Sequence, residues 1–364
     1  MILWPRLLAR VSERITKPRI WGVSMKIFHT SKHVLHHPKA ELHRGEMVPP
    51  HEAPHRMELL TAGLNRAGFH EFLTPAPYDS TDITAVHSED YIHFLKTAWT
   101  RWQAAGYGGD VLPMSYPANP RRAKPPLDID GAAGYFCSSS DTVITETSWE
   151  ALEAIAGCAV SAALETAQGG SAFAFVRPPG HHAGAAYMSG YCLLNTTAIA
   201  AQKLLNEGAS RVAVLDVDFH HGNGSQDIFY ERDDVFFASI HGHPDYHFPY
   251  FWGHEDETGM GAGEAFTANY PLAPGAAYDV WSEALEMAIM RIERFKADAI
   301  VVSLGVDTYE KDPISSFKLT TADYARYGAR IAAMGLPTCF IMEGGYGVPE
   351  IGDNTANVLT GFLS

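Results

Sequence analysis

The chain has 364 residues, 46% of them hydrophobic and 19% charged, enough to bury a full core as one large domain or two, which excludes an intrinsically disordered protein. Its 27 Lys and Arg against 42 Asp and Glu give a formal charge of −15 with His neutral, the wrong sign for a nucleic-acid binder and the right one for a cationic small molecule or a Lys-rich peptide. No stretch approaches the roughly 18 uninterrupted apolar residues of a membrane span, and the widely spaced Cys137, Cys158, Cys192 and Cys339 read as the reduced core thiols of a cytoplasmic protein.

Residues 1–24 stand apart, with Arg6, Arg10, Arg14, Lys17 and Arg19 against Glu13 in an otherwise acidic chain. The charges interrupt any apolar core of a signal peptide, so this segment reads as a short amphipathic appendage or an over-long start. The domain is expected to begin at Met25-Lys26-Ile27-Phe28 and to run to Ser364. Tyr107 to Gly131 carries Pro113, Pro117, Pro120, Pro125 and Pro126 and reads as a long surface loop. From there the pattern alternates: helix Trp149 to Thr166, strand Ala172 to Val176, helix Asn195 to Asn206, then strands Val212 to Val217 and Val235 to Ile240. Helix Tyr278 to Phe295, strand Ala299 to Leu304, helix Thr321 to Met334 and strand Pro337 to Met342 complete it. Alternation of this kind predicts an α/β fold, a three-layer α/β/α domain with a mainly parallel central sheet.

In such sheets ligands bind beyond the carboxyl ends of the strands, and four strand ends carry reactive side chains. They are Arg177-Pro178-Pro179-Gly180-His181-His182, Asp216-Val217-Asp218-Phe219-His220-His221-Gly222, Gly305-Val306-Asp307, and Glu343-Gly344-Gly345-Tyr346-Gly347. Asp218 and His220, two apart in an extended backbone, point to one face and can hold a metal ion. Asp307 supplies a third ligand, leaving a position open as in a catalytic site. Two carboxylates and an imidazole suit zinc, Fe2+, Co2+ or Mn2+. Such an ion favours amide hydrolysis; His181 and His182 can move protons, and the Tyr346 phenol can donate to an oxyanion. A Gly-Gly-Tyr-Gly turn or a His pair alone is commonly structural. Their convergence on one rim argues for function.

These motifs, with Asn223-Gly224 and Ser303 to Asp307, resemble the arginase/deacetylase fold and, within it, the histone deacetylase superfamily, over Met25 to Ser364. Gly45-Glu46-Met47-Val48-Pro49-Pro50 and Phe229-Tyr230-Glu231-Arg232 are similar to the bacterial branch that hydrolyses acetylated polyamines. The resemblance implies zinc on Asp218, His220 and Asp307, His182 as general base and acid, His181 as its electrostatic partner, and Tyr346 polarising the acetyl carbonyl. Asp216 would orient His181 and join the carbonyls of Asp218, His220 and Ile240 and the Ser239 hydroxyl around a structural potassium ion. Phe229, Arg232, Val235 and Phe266 would offer carbonyls to a second potassium. Asn223 would orient His182; Asn in place of the Asp of some relatives polarises the base less and lowers its pKa. The resemblance further implies a narrow tunnel walled by Tyr191, Phe248, Gly190 and Ile314. Asp130 and Asp141 would meet substrate ammonium groups at its mouth, and the loop at 107–131 would make a homodimer.

Two further histidine groups stay outside the site: His29, His33, His36, His37, His43, His51 and His55, whose spacing fits no ligand set, and His241, His243 and His247, read as a solvated rim loop. A two-metal ureohydrolase is disfavoured because Gly222 and Tyr309 stand where its extra carboxylates belong. A protein acetyl-lysine deacetylase shares every catalytic motif. A non-catalytic acetyl-amine sensor has no need of all these residues.

Overall fold

The computed structural model describes residues 25–119 and 122–364; the basic segment 1–24 lies outside the described residues. In chain order the elements are Lys26–His29 (β1), the short hairpin Glu41–His43 (β2) and Glu46–Val48 (β3), His55–Arg66 (α1), Thr81–Thr84 (α2), Glu89–Ala104 (α3), Ile129–Tyr135 (α4) and Ser148–Ala167 (α5). There follow Ser171–Phe175 (β4), Thr196–Asn206 (α6), Val212–Asp216 (β5), Asn223–Phe229 (α7), Val235–Gly242 (β6) and Thr267–Leu272 (β7). Tyr278–Phe295 (α8), Ala299–Leu304 (β8), Thr321–Ala332 (α9), Thr338–Met342 (β9) and Ile351–Leu363 (α10) complete the chain.

Seven strands form one sheet in the order β1-β4-β9-β8-β5-β6-β7, every pair parallel. β5, β6, β8 and β9 are buried along their whole length, so helices cover both faces, the arrangement expected of parallel strands that read as continuous apolar runs. This is the α/β sandwich anticipated above. α5, rich in alanine, lies close over β4 and β1 and against α6; α6 begins at Asn195, whose side chain accepts a hydrogen bond from Ala198 N at 2.8 Å. α1 and α10 cross at glycines: a Cβ on Gly63 would stand 2.0 Å from the Gly352 carbonyl carbon.

Strand boundaries agree with the sequence pattern to within one or two residues. The two edge strands, β1 and β7, are absent from that pattern; β7 is only half-buried and contains Pro271, tolerated there by the free edge. The loop at 107–131 is shorter than expected: Asp128 caps α4 through the N–H groups of Asp130 and Gly131, which places both inside the helix. Because the seven strands of the central sheet are parallel, their carboxyl ends share one edge. The four that carry the motifs, β4, β9, β8 and β5, are also consecutive neighbours.

Candidate active site

The chain leaves β5 at Asp216 and bends through residues 218–220. Asp218 and His220 therefore meet through a bend, not through the extended backbone expected for them. Asp216 holds the bend by accepting Asp218 N at 3.1 Å, and Asp218 accepts His220 N at 2.9 Å. Asp307, beyond β8, accepts Phe219 N at 2.8 Å and faces His220 Nδ1 at 3.0 Å, while Asp218 lies 3.4 Å from the same nitrogen. Candidate ligand atoms of Asp218, His220 and Asp307 all lie within 4.8 Å of one another.

The surroundings fit a cation. Two buried carboxylates flank a single, partly buried imidazole, and glycines leave room for them. A Cβ on Gly305 would stand 2.1 Å from Asp218 Oδ2, and one on Gly344 2.6 Å from the same oxygen. Burial lowers the affinity of His220 for a proton, but Asp218 and Asp307 outweigh it and push its pKa up to about 10. A metal ion would replace that proton. A second candidate set, His181, Cys192 and Glu343, is accounted for otherwise. Glu343 Oε2 accepts Gly180 N at 2.6 Å and His181 N at 3.1 Å, its Oε1 accepts the Thr197 hydroxyl at 2.9 Å, and burial pushes the Cys192 thiol well above its ordinary pKa.

Beyond β4, the His181 and His182 rings lie 4.0 Å apart. His181 Nδ1 donates to Asp216 Oδ2 at 2.9 Å; although burial opposes it, the Asp218 and Asp216 carboxylates raise its pKa to about 10. Burial, then the charges of His181 and His220, hold His182 well below its ordinary value. His182 Nδ1 donates to Asn223 Oδ1 at 2.7 Å, which leaves Nε2 free to accept a proton. The pair is thus split into a charged and a neutral imidazole by its surroundings.

Beyond β9, Tyr346 is fixed by groups that sequence reading missed. Arg56 of α1 donates to Gly345 O at 2.7 Å and Glu343 O at 2.6 Å, and its guanidinium lies 4.6 Å from the centre of the Tyr346 ring. Asp312 accepts Tyr346 N at 2.8 Å. Glu52 links Arg56, at 3.0 Å, to Arg177, at 2.7 Å to each oxygen; burial opposes its ionisation, but Arg177 and Arg56 prevail and lower its pKa to about 2. Arg56 and Glu343 are 287 residues apart, and no local pattern marks them as partners.

Of the expected wall residues, Tyr191 packs against the Tyr346 ring at 5.6 Å and Phe248 against His182 at 4.9 Å. Gly190 sits between the latter two: a Cβ there would be 2.3 Å from His182 Cδ2 and 2.9 Å from Phe248 Cε1. Ile314 N donates to Asp312, the residue that accepts Tyr346 N. Asp130 is half-buried at the start of α4 and accepts Met114 N at 3.3 Å. Asp141 is bonded within its own loop. Its carboxylate turns inward to the Ser139 hydroxyl at 2.5 Å and the Thr142 hydroxyl at 3.0 Å, beside a cavity of ≈ 10 Å³ shared with Glu41, Glu52 and Tyr191.

Ser239 and Ile240 lie on β6 beside Asp216, with the Ser239 hydroxyl 2.9 Å from His241 Nδ1. Phe229, Arg232, Val235 and Phe266 surround the start of β6; Phe229 O accepts Arg232 N at 3.0 Å, and Phe266 O accepts Phe237 N at 2.9 Å. His241 is fully buried and bonded to Gly253 O at 2.9 Å, which corrects its reading as a solvated rim residue. His247 also packs inward, against Phe219 and 3.0 Å from the Ser316 hydroxyl. In the N-terminal histidine group, His36 bonds Ser148, His51 bonds Glu41 and His55 bonds Glu58.

The rim formed by these strand ends gathers the donor set of a candidate metal-dependent hydrolase. The histone deacetylase domain family matches residues 50–362, and the chain belongs to that family. It is 52% identical over 338 residues to the acetylpolyamine amidohydrolase of Mycoplana ramosa, covering 93% of this chain and 99% of that one. It is 47% identical to acetylpolyamine amidohydrolase 2 of Pseudomonas aeruginosa, covering 93% and 98%. The crystal structure of the acetylpolyamine aminohydrolase from Burkholderia pseudomallei superposes with a TM-score of 0.88 at 36% identity, covering 93% of this chain and 98% of that one.

Proposed function

We propose that this enzyme hydrolyses acetylated polyamines such as acetylputrescine, acetylcadaverine and acetylspermidine to the free amine and acetate, with zinc on Asp218, His220 and Asp307. The observation that carries the reading is the meeting of those three residues with His182 and Tyr346 at one rim, in a chain similar over nine-tenths of its length to relatives named for that reaction. When bound, the cation supplies Lewis-acid polarisation of the acetyl carbonyl and of the attacking water. His182 Nε2 takes the proton of that water as its oxygen adds to the carbonyl carbon, and returns it to the amine nitrogen as the C–N bond breaks. His181, held charged by Asp216, keeps His182 neutral, and Asn223 fixes its tautomer. The Tyr346 hydroxyl donates to the carbonyl oxygen as charge builds there.

Tyr191, Phe248, Gly190 and Ile314 are assigned to the walls that take the methylene chain, and Asp130, half-exposed, to an ammonium group. Asp216, Asp218, His220, Ser239 and Ile240 are assigned to a structural potassium ion, and Phe229, Arg232, Val235 and Phe266 to a second. Fe2+, Co2+ and Mn2+ are alternatives that metal reconstitution ranks. A cytoplasmic location is supported by four free buried cysteines and by the lack, among the described residues, of any helix long and apolar enough to cross a membrane.

The test is kcat/KM of zinc-loaded enzyme on acetylputrescine, acetylcadaverine, N1- and N8-acetylspermidine and an acetyl-lysine peptide at one ionic strength. A polyamine preference of at least about tenfold, roughly 1.4 kcal/mol, is expected. Preference for the peptide would make this a protein deacetylase, and no turnover of any substrate would make it a sensor.

A homodimer through the Pro-rich loop is supported by its solvent-facing Met114, Tyr116 and Leu127, the last 98% exposed. Light scattering should give twice the chain mass, falling to one on Leu127→Asp with Met114→Asp; a wild-type monomer rejects the assignment.

A further inference from the structure

Asp141 sits at the head of a branched hydrogen-bond system that ends on the backbone of the tunnel wall. The Ser139 and Thr142 hydroxyls both donate to Asp141 Oδ1, at 2.5 and 3.0 Å. With their protons committed there, their lone pairs face the other way: Ser139 Oγ accepts Gly190 N at 2.8 Å, and Thr142 Oγ1 accepts Tyr191 N at 2.9 Å. Gly190 and Tyr191 are the two central residues of a tight turn closed by Ser189 and Cys192, which exchange hydrogen bonds at 3.1 and 2.8 Å.

Both central residues have positive φ, +50° at Gly190 and +67° at Tyr191. A two-residue turn of this kind favours Asn-Gly or Gly-Gly, and an aromatic residue in the left-handed region is uncommon and has to be held there by its surroundings. The turn also stands where precision counts. Gly190 abuts His182 and Phe248, and Tyr191 packs on Tyr346. A shift in the turn would therefore move the neighbours of both the proton-transfer histidine and the oxyanion donor.

We propose that Asp141 is a positioning residue: through Ser139 and Thr142 it clamps the strained Gly190-Tyr191 turn against His182 and Tyr346, and it does not take a substrate ammonium group. The clamp departs from the mouth role implied by resemblance because the shorter aspartate has spent its inward oxygen on two hydroxyls of its own loop. The activity arm of its test rests on the deacetylase reading above.

The activity test compares acetylputrescine with N-pentylacetamide, an amide of the same length with a methyl group in place of the distal ammonium. Asp141→Ala should lower kcat/KM on both by the same factor, on the order of tenfold, as for a small misplacement near the reacting atoms. Asp141→Asn keeps an acceptor for both hydroxyls and should hold both rates near wild type. Adding Asp141→Ala to a Ser139→Ala/Thr142→Val variant should cost nothing more, since the three act as one unit. A loss confined to acetylputrescine in either Asp141 variant, or no loss in Asp141→Ala, overturns the clamp. A readout independent of turnover is amide hydrogen exchange over residues 188–193, which should quicken in Asp141→Ala and not in Asp141→Asn. Unchanged exchange in the alanine variant overturns the clamp even if the wild type deacetylates neither amide, a result that by itself counts only against the deacetylase reading.

Discussion

His182→Ala should cut turnover by on the order of 10²- to 10⁴-fold while leaving the metal content at the wild-type level. The imidazole is the group in the site placed to take a proton and give it back: burial and two charged neighbours keep it neutral, and its Nδ1–H is committed to Asn223. It contributes no atom to the Asp218, His220 and Asp307 cluster, so its removal should not release the ion. Rate and bound metal, measured on the same preparation, check this. A rate within a few fold of wild type would remove His182 from the mechanism. Tyr346→Phe on the same assay should cost on the order of 10²-fold, the usual loss for one oxyanion donor.

Asp307→Ala should lose the metal and, with it, all turnover. Asp307 holds the site twice over, presenting one oxygen toward the His220 imidazole and using the other to fix the Phe219 N–H in the bend that carries Asp218 and His220. Elemental analysis should give metal content near zero, against about one equivalent in the wild type. Thermal unfolding gives a second reading. A ligand at 100 times its dissociation constant stabilises the folded state by about 2.7 kcal/mol, so a chelator should lower the wild-type melting temperature and leave that of Asp307→Ala unchanged. Wild-type metal content in the variant would overturn the ligand assignment. Asp307→Asn separates the two roles, since an amide oxygen still accepts Phe219 N but carries no charge for the ion.

His182 and Asp307 stand in motifs that are legible in the amino-acid sequence. Short apolar runs ending in His, Asp or Tyr mark buried parallel strands and the rim beyond them, because burial on both faces imposes a continuous apolar pattern and the chain must turn polar where it emerges. Elements outside that pattern leave no such mark. β7 is half-buried and carries a proline, and Arg56 and Asp312 sit in segments with no motif of their own. His241 reads as a loop residue but lies inside β6, with both ring nitrogens bonded.

Local periodicity and residue type settle the fold class, the four strand ends and the chemical identity of the groups they deliver. The folded chain settles how those groups are held. It replaced an extended strand by a bend at Asp218 to His220, brought Arg56 across 287 residues to the Glu343 carbonyl, and turned the Asp141 carboxylate onto the Ser139 and Thr142 hydroxyls. The physical reason is the same in each case: a hydrogen bond to a distant backbone group leaves no trace in the spacing of residues along the chain, and it forms only when packing has brought the two segments within about 3 Å.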